Sequence, residues 1–194
     1  MAKRYRKVRT AIYVSLEGQR EEAFYSFLED LFLDNTSRHI NIDSRRGGNS
    51  DVILERAIKR TSCDRSFAWF DEDVPLKETR DKLAECWGVE KFDPKVADKD
   101  LQATYNKGYK NPILIVSNPC SVEGVILSLF NKLPKKLDTK TLKNSLVGLT
   151  GSGHDLEKEI AFYKKHLTKE KLENSGNPTL DLILLIFRDK KIGN

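Results

Sequence analysis

The sequence predicts an α/β fold: a mostly parallel four-stranded sheet with helices on both faces, followed by a C-terminal helical extension. Short apolar runs rich in β-branched residues alternate four times with segments whose apolar residues recur at helical spacing, the pattern of serial β-α units. One run, Ile113-Leu114-Ile115-Val116, is apolar at every position, as a strand buried on both faces requires. Beyond Leu133 the periodicity is helical throughout.

The elements follow in order. Ala11 to Leu16 alternates β-branched and aromatic residues ahead of Glu17-Gly18, after which Ala23, Phe24, Phe27, Leu28, Leu31 and Phe32 mark one face of a helix. His39 to Asp43 is a second extended piece. It leads into the loop Arg45-Arg46-Gly47-Gly48-Asn49-Ser50, and Val52, Ile53, Ala57 and Ile58 then form another helical stripe with Ser50 placed to cap it. Ser66 to Phe70 is a third strand ending at Asp71-Glu72-Asp73, and Pro75 opens a helix through Cys86. Gly88 to Lys110 is polar and weakly periodic, which fits a long connection or a short helix over Val96 to Tyr105. After the Ile113 strand, Asn118-Pro119 turns the chain into a helix bearing Val122, Val125, Ile126, Leu129 and Phe130. Further helices are predicted over Leu137 to Leu146, Asp155 to Leu167, and from Asn177-Pro178 through Phe187. The chain thus divides into a basic segment 1–10, an α/β domain 11–133, and a helical extension 134–194 packed on the same domain.

Composition narrows the function classes. Charged residues make up 32% and apolar residues 39%, with the nine Phe spread among Ile, Leu and Val runs, which argues against general disorder. The longest apolar stretch, Leu182 to Phe187, is too short to span a bilayer, and the basic start (Lys3, Arg4, Arg6, Lys7, Arg9) runs into no signal-peptide core. A cytoplasmic location without a membrane partner is expected. Cys63, Cys86 and Cys120 are odd in number and lack metal-ligand spacing, so neither a disulfide framework nor a zinc site is expected. A formal charge of +5 and a pI near 9.0 permit attraction to phosphate backbones without requiring it.

The chemistry gathers at strand ends. Ligands of parallel α/β sheets collect at the carboxyl ends of the strands, where Glu17, Asp71, Asp73 and Asn118 fall. Gly18 permits a tight turn into the first helix. Asp71 and Asp73 lie two apart in an extended segment and therefore point the same way, so both carboxylates can face one ion. Hard oxygen ligands of this kind suit Mg²⁺ or Mn²⁺, which bind through one or two carboxylates plus substrate phosphate.

These residues carry a resemblance. Ile12-Tyr13-Val14-Ser15-Leu16-Glu17-Gly18 followed by Phe67-Ala68-Trp69-Phe70-Asp71-Glu72-Asp73 looks like the Toprim pattern of topoisomerases, primases and related nucleases. From residue 10 to 187 the chain resembles the RloB-like family, small Toprim-related proteins associated with bacterial restriction and abortive-infection loci. The features are Glu17-Gly18-Gln19 with Glu21-Glu22 and Phe24-Tyr25, Arg46-Gly47-Gly48, Asp71-Glu72-Asp73, Ser117-Asn118-Pro119-Cys120 and Asn177-Pro178-Thr179. The family segment usually runs Asn-Pro-x-Phe-Glu-x-Trp. Here the aromatic residues are absent and Glu123 sits one place late, on the first turn of its helix.

The resemblance implies a Toprim-like, Rossmann-like domain performing Mg²⁺-dependent phosphodiester chemistry, with Glu17 as general acid or base and Asp71 and Asp73 holding metal. Gly18, Arg46, Gly47, Gly48, Asn118 and Glu123 would meet substrate, DNA or RNA. No tyrosine can be assigned as a covalent nucleophile, which favours hydrolysis over strand passage. An anti-phage role and an ATPase partner are implied by analogy, since the chain has no intact nucleotide-binding loop. Gly148 to His154 has P-loop glycine spacing, but His154 and Asp155 stand where Lys and Ser or Thr belong, so it reads as an interhelical loop with Asp155 as N-cap.

Plainer readings stand beside these. Glu17 can satisfy a helix N-terminus, Asp73 can cap the next helix, Gly47-Gly48 can be an ordinary loop, and Arg45 and Arg46 solvated charge. A non-catalytic module that holds a metal-bound nucleotide or a partner protein in the same acidic cleft is the alternative from another class.

Overall fold

The two-residue period of extended chain organises the sheet. In β1 (Thr10–Leu16), Ile12, Val14 and Leu16 join one buried cluster while Tyr13 joins another on the opposite face. In β3 (Arg65–Asp71), Phe67 and Trp69 go with the first set, Ala68 and Phe70 with the second. Such strands need cover on both sides. Helix α1 (Gln19–Phe32) covers one face with Phe24, Phe27 and Leu28, and α2 (Ser50–Lys59) covers the other with Ile53, Leu54, Ala57 and Ile58. The structure, a computed structural model, describes residues 10–33, 38–44, 50–60, 62–71, 89–92, 103–105 and 112–187.

With β2 (Arg38–Asp43) and β6 (Ile113–Ser117), the sheet has the order β2-β1-β3-β6 and every pairing is parallel. The expected four-stranded α/β architecture with a C-terminal helical extension is therefore present. The Trp69 indole, fully buried, donates to Ser117 Oγ at 2.7 Å and ties β3 to β6. Helices α3 (Val122–Leu129), α4 (Thr139–Thr150), α5 (Leu156–His166), α6 (Lys169–Glu173) and α7 (Pro178–Leu184) follow. Their Leu142, Leu146, Tyr163, Leu172, Leu180 and Ile183 belong to the same core cluster as β1 and β3. The Tyr163 ring meets Phe24 of α1 edge-on at 5.7 Å, so the extension shares the domain's core.

Local chemistry explains the helix starts. Asp155 caps α5 by accepting from Glu157 and Lys158 N–H, the N-cap expected of it in the loop between α4 and α5. Asn177 caps α7 through Leu180 N–H with Pro178 in the first turn, and its amide donates to Ser128 Oγ at 3.0 Å. Thr179 Oγ1 donates to Val116 O and accepts from Asn118 N–H, both at 3.1 Å, pinning α7 to the end of β6. The peptide between Asn118 and Pro119 is cis.

Several expectations are corrected. Ala103–Tyr105 is a strand, β5, paired antiparallel with β4 (Val89–Phe92) in a separate two-stranded sheet; the β-branched and aromatic residues Thr104 and Tyr105 suit a strand, and helical spacing was weak there. Ser50 lies inside α2 as its first residue. The helix expected from Leu137 begins at Thr139, because Asp138 accepts from Thr141 N–H and so caps it. Helix α6, five residues long, was not foreseen. The helix expected from Pro75 to Cys86 lies outside the described residues. No helix among the described residues is long and apolar enough to cross a membrane.

Gly124 lets α3 close on the preceding turn, since a Cβ there would stand 2.0 Å from Pro119 O. Gly148, in α4, has nothing within 4 Å of the same position. In urea denaturation, Gly124→Ala should therefore cost at least about 1–3 kcal/mol through overpacking against backbone. Gly148→Ala should instead stabilise by about 0.5–1 kcal/mol, by relieving helix entropy alone. Equal effects of the two substitutions would contradict the close approach.

Candidate functional site

The chain leaves β1 for β2 on one side and returns past β1 to β3 on the other, so the strand order reverses between β1 and β3. The crevice beyond the carboxyl ends at such a reversal is where open α/β sheets bind ligands. Glu17 follows directly on β1 and Asp71 ends β3, in strands paired with Leu16 beside Trp69. The Glu17 carboxylate reaches across to accept from Asp71 N–H at 3.0 Å. The Asp71 carboxylate accepts from Val122 N–H at 3.2 Å, at the start of α3.

Two more carboxylates join them. Glu21 lies in the first turn of α1 and Glu123 in the first turn of α3, only 5% and 2% exposed. Gly18 makes room for the first of these. Its φ of −146° is extended backbone open to any residue, but a Cβ would stand 2.9 Å from Glu21 Oε2. That backbone needs no glycine, which corrects the expectation that it serves a tight turn, and the atom a Cβ would meet is the movable end of the Glu21 side chain.

The cluster is electrostatically strained. Burial, and then the negative charges of Glu21, Glu17 and Glu123, push the Asp71 carboxyl up to about 8. Burial above all pushes Glu21 up to about 7, with Glu123 and Glu17 adding to it and its backbone hydrogen bond and Lys143 opposing. Glu123 Oε1 takes a hydrogen bond from Arg20 Nη1 at 2.7 Å, whereas its Oε2 is buried without a partner among the described residues. Such an oxygen is costly unless something satisfies it.

Arg20 anchors this arrangement. Its Nε and Nη2 also donate to the two oxygens of Glu159 on α5, at 3.1 and 2.8 Å, and Glu159 further accepts from Tyr163 OH and Ser152 Oγ at 3.2 Å each. A fully buried carboxylate thus has four donors, and α1, α3 and α5 are bound through one guanidinium.

Glu17, Gly18, Asp71 and Glu123 are therefore brought together. Asn118 is exposed at the end of β6, with its N–H taken by Thr179. Asp73, Arg46, Gly47 and Gly48 lie outside the described residues. Arg20, Glu21 and Glu159 were missed as site residues. The signal for the two acids was present, since each stands inside an apolar helical stripe: Glu21 with Phe24, Tyr25 and Leu28, and Glu159 with Phe162 and Tyr163.

The donor set fits a hard divalent cation in its chemistry: carboxylate oxygens, one of them without a partner among the described residues, and two carboxyls that retain protons through burial first and neighbouring negative charge second. In position, no group of three or more His, Cys, Asp or Glu among the described residues is spaced to hold a metal. On the β2 side a polar cavity of about 540 Å³ is lined by Tyr13, Gln19, Glu22, Asn41, Asp43 and Arg60, among others. Comparison of the chain with family models, curated proteins and solved structures gave no match.

Arg20→Leu should leave Glu123 and Glu159 buried without their cation and cost about 3–5 kcal/mol, read by urea denaturation. Between the ordinary carboxylate range and about pH 8, the folded chain binds more protons at Asp71 and Glu21 than the unfolded chain. Without divalent ions, stability should fall as pH rises through that window, by about 1.4 kcal/mol per pH unit for each extra proton held, and level off above it. Asp71→Asn should flatten the slope. An unchanged slope would remove Asp71 from the coupled cluster.

Proposed function

We propose that this chain is a divalent-metal-dependent nuclease, or a closely related phosphotransfer enzyme, built on a Toprim-type site. The observation that carries the reading is the meeting of Glu17, Glu21, Asp71 and Glu123 where the strand order reverses, with one buried carboxylate oxygen lacking a partner among the described residues. The likeness of the Glu17-Gly18 and Asp71-Glu72-Asp73 segments to the Toprim pattern supports it, and likeness to the RloB-like family extends it to bacterial anti-phage defence.

Asp71 and Asp73, with Glu17, would hold Mg²⁺ or Mn²⁺, and Glu21 and Glu123 stand near Asp71. A cation bound there supplies charge that offsets the repulsion among the acids and polarises a water and the phosphate. The protein's own part is positioning. Glu17 fixes the backbone of Asp71 through its N–H and is the group set to move a proton at the scissile phosphate. Arg20 holds Glu123 in place without neutralising both of its oxygens. The first turns of α1 and α3 direct their positive ends to the crevice, where a phosphate is favoured.

The test is nicking of plasmid DNA and of labelled single-stranded DNA and RNA with Mg²⁺ or Mn²⁺, compared with chelator. Wild type should cleave only with the metal, and Glu17→Gln and Asp71→Asn should each lose at least about a hundredfold in rate while keeping native circular dichroism. Activity unchanged in both variants would remove those residues from the chemistry. Stoichiometric metal-nucleotide binding by calorimetry, without product, would give the cleft to a sensor or partner-binding module instead.

A further inference from the structure

The acids of the site repel a polyanion, so a phosphodiester needs a positive surface beside them to approach. Residues 132–143 supply five lysines against one acid, Asp138. Lys132, Lys135, Lys136, Lys140 and Lys143 are all exposed. Burial of Leu142 and Leu146 fixes which side of α4 faces the core and leaves Lys140 and Lys143, three apart, facing outward. Lys136 pairs with Asp138 at 3.2 Å, whereas the other four form no ion pair among the described residues.

Four other lysines of the extension are engaged. Lys164 pairs with Asp30 at 2.7 Å, Lys158 with Asp155 at 3.4 Å, and Lys169 and Lys171 stand over the rings of Phe32 and Phe130. The placement of α4 is equally telling. Thr139 Oγ1 lies 3.8 Å from Cys120 Sγ, in the turn after β6 that leads to Glu123, and one turn further on the charge of Lys143 acts on Glu21. A strip in which four lysines form no ion pair among the described residues therefore ends beside the turn that leads to Glu123.

We propose that Lys132, Lys135, Lys136, Lys140 and Lys143 form the surface that carries the phosphate backbone of a nucleic acid to the acidic site, an inference that rests on the nuclease reading above. Leu133 and Leu137, 42% and 46% exposed and interleaved with the lysines, offer apolar contact for sugars or bases. Two half-exposed leucines are too small a face to anchor the chain in a bilayer, and a nucleic acid is the occupant that also needs the neighbouring acids.

The experiment measures fluorescence anisotropy of labelled oligonucleotides, duplex and single-stranded, across a salt series in Ca²⁺. The proteins are wild type, Lys140→Gln/Lys143→Gln, Lys135→Gln/Lys136→Gln, and a control, Lys164→Gln/Lys165→Gln. The control lies by the Asp30 end of α1, away from Glu17 and Glu21. Each strip variant should lose about tenfold in affinity at low salt and, on duplex, shallow the log affinity against log salt slope by about 1.8, or 0.9 per phosphate contact. The control should match wild type.

If wild type binds and cleaves but the strip variants keep its affinity and slope, the strip is overturned and the nuclease reading stands. If wild type binds no oligonucleotide, both fall. If the strip variants lose binding to phosphatidylserine vesicles while keeping oligonucleotide affinity, the surface belongs to anionic lipid and the proposal is overturned.

Discussion

Arg20 stands between Glu123 and Glu159, bonded to both through three hydrogen bonds of 2.7 to 3.1 Å, and most of the site's geometry follows from that contact. Two carboxylates almost wholly withdrawn from water would each carry a large desolvation cost, and a guanidinium with its planar fork is the side chain that can meet both at once. Its charge is nevertheless insufficient. One cation faces Glu123 and Glu159, with Glu17, Glu21 and Asp71 beside them, and burial together with the surplus negative charge leaves protons on Asp71 and Glu21.

The same contact makes the C-terminal helices part of the site. Glu159 belongs to α5, and it is held there by Tyr163 and Ser152 as well as by Arg20. At the other end of the extension, Thr179 occupies the last carbonyl but one of β6 and the N–H of Asn118, which fixes the turn leading to α3 and hence the position of Glu123. Asn177-Pro178-Thr179 is therefore explained as structure: a cap, a helix start and a clamp. A boundary near residue 133 marks a change in secondary structure, while the hydrophobic core runs across it without a break.

The sheet was legible because strand identity here depends on short-range pattern. Apolar runs such as Ile113 to Val116 and the alternation in Ala11 to Leu16 are short and bounded by turn residues, which favours strands, and the order β2-β1-β3-β6 then sets Glu17 and Asp71 at adjacent strand ends. What the pattern could not reveal was which charges are buried and with whom. Arg20 is flanked by Gln19 and Glu21 and looks like surface; only the packing of α5 on α1 gives it Glu159. Gly18 likewise suggested backbone freedom, whereas its φ of −146° is extended backbone that any residue adopts. The β4-β5 pair was obscured because strands of four and three residues give too few repeats to fix a period.

Charge segregation connects these points. The chain carries a net +5, yet its most buried ionisable cluster is acidic, so the excess positive charge must lie outside it. The topology puts the two signs in contact: the turn after β6 leads into α3, which delivers Glu123 inward, and the next segment leads into α4, whose lysines face outward beside the same turn. The acids are difficult to ionise together, and four of the five lysines form no ion pair among the described residues. On the function proposed above, a metal-bound phosphodiester would bring a cation to the former and phosphates to the latter.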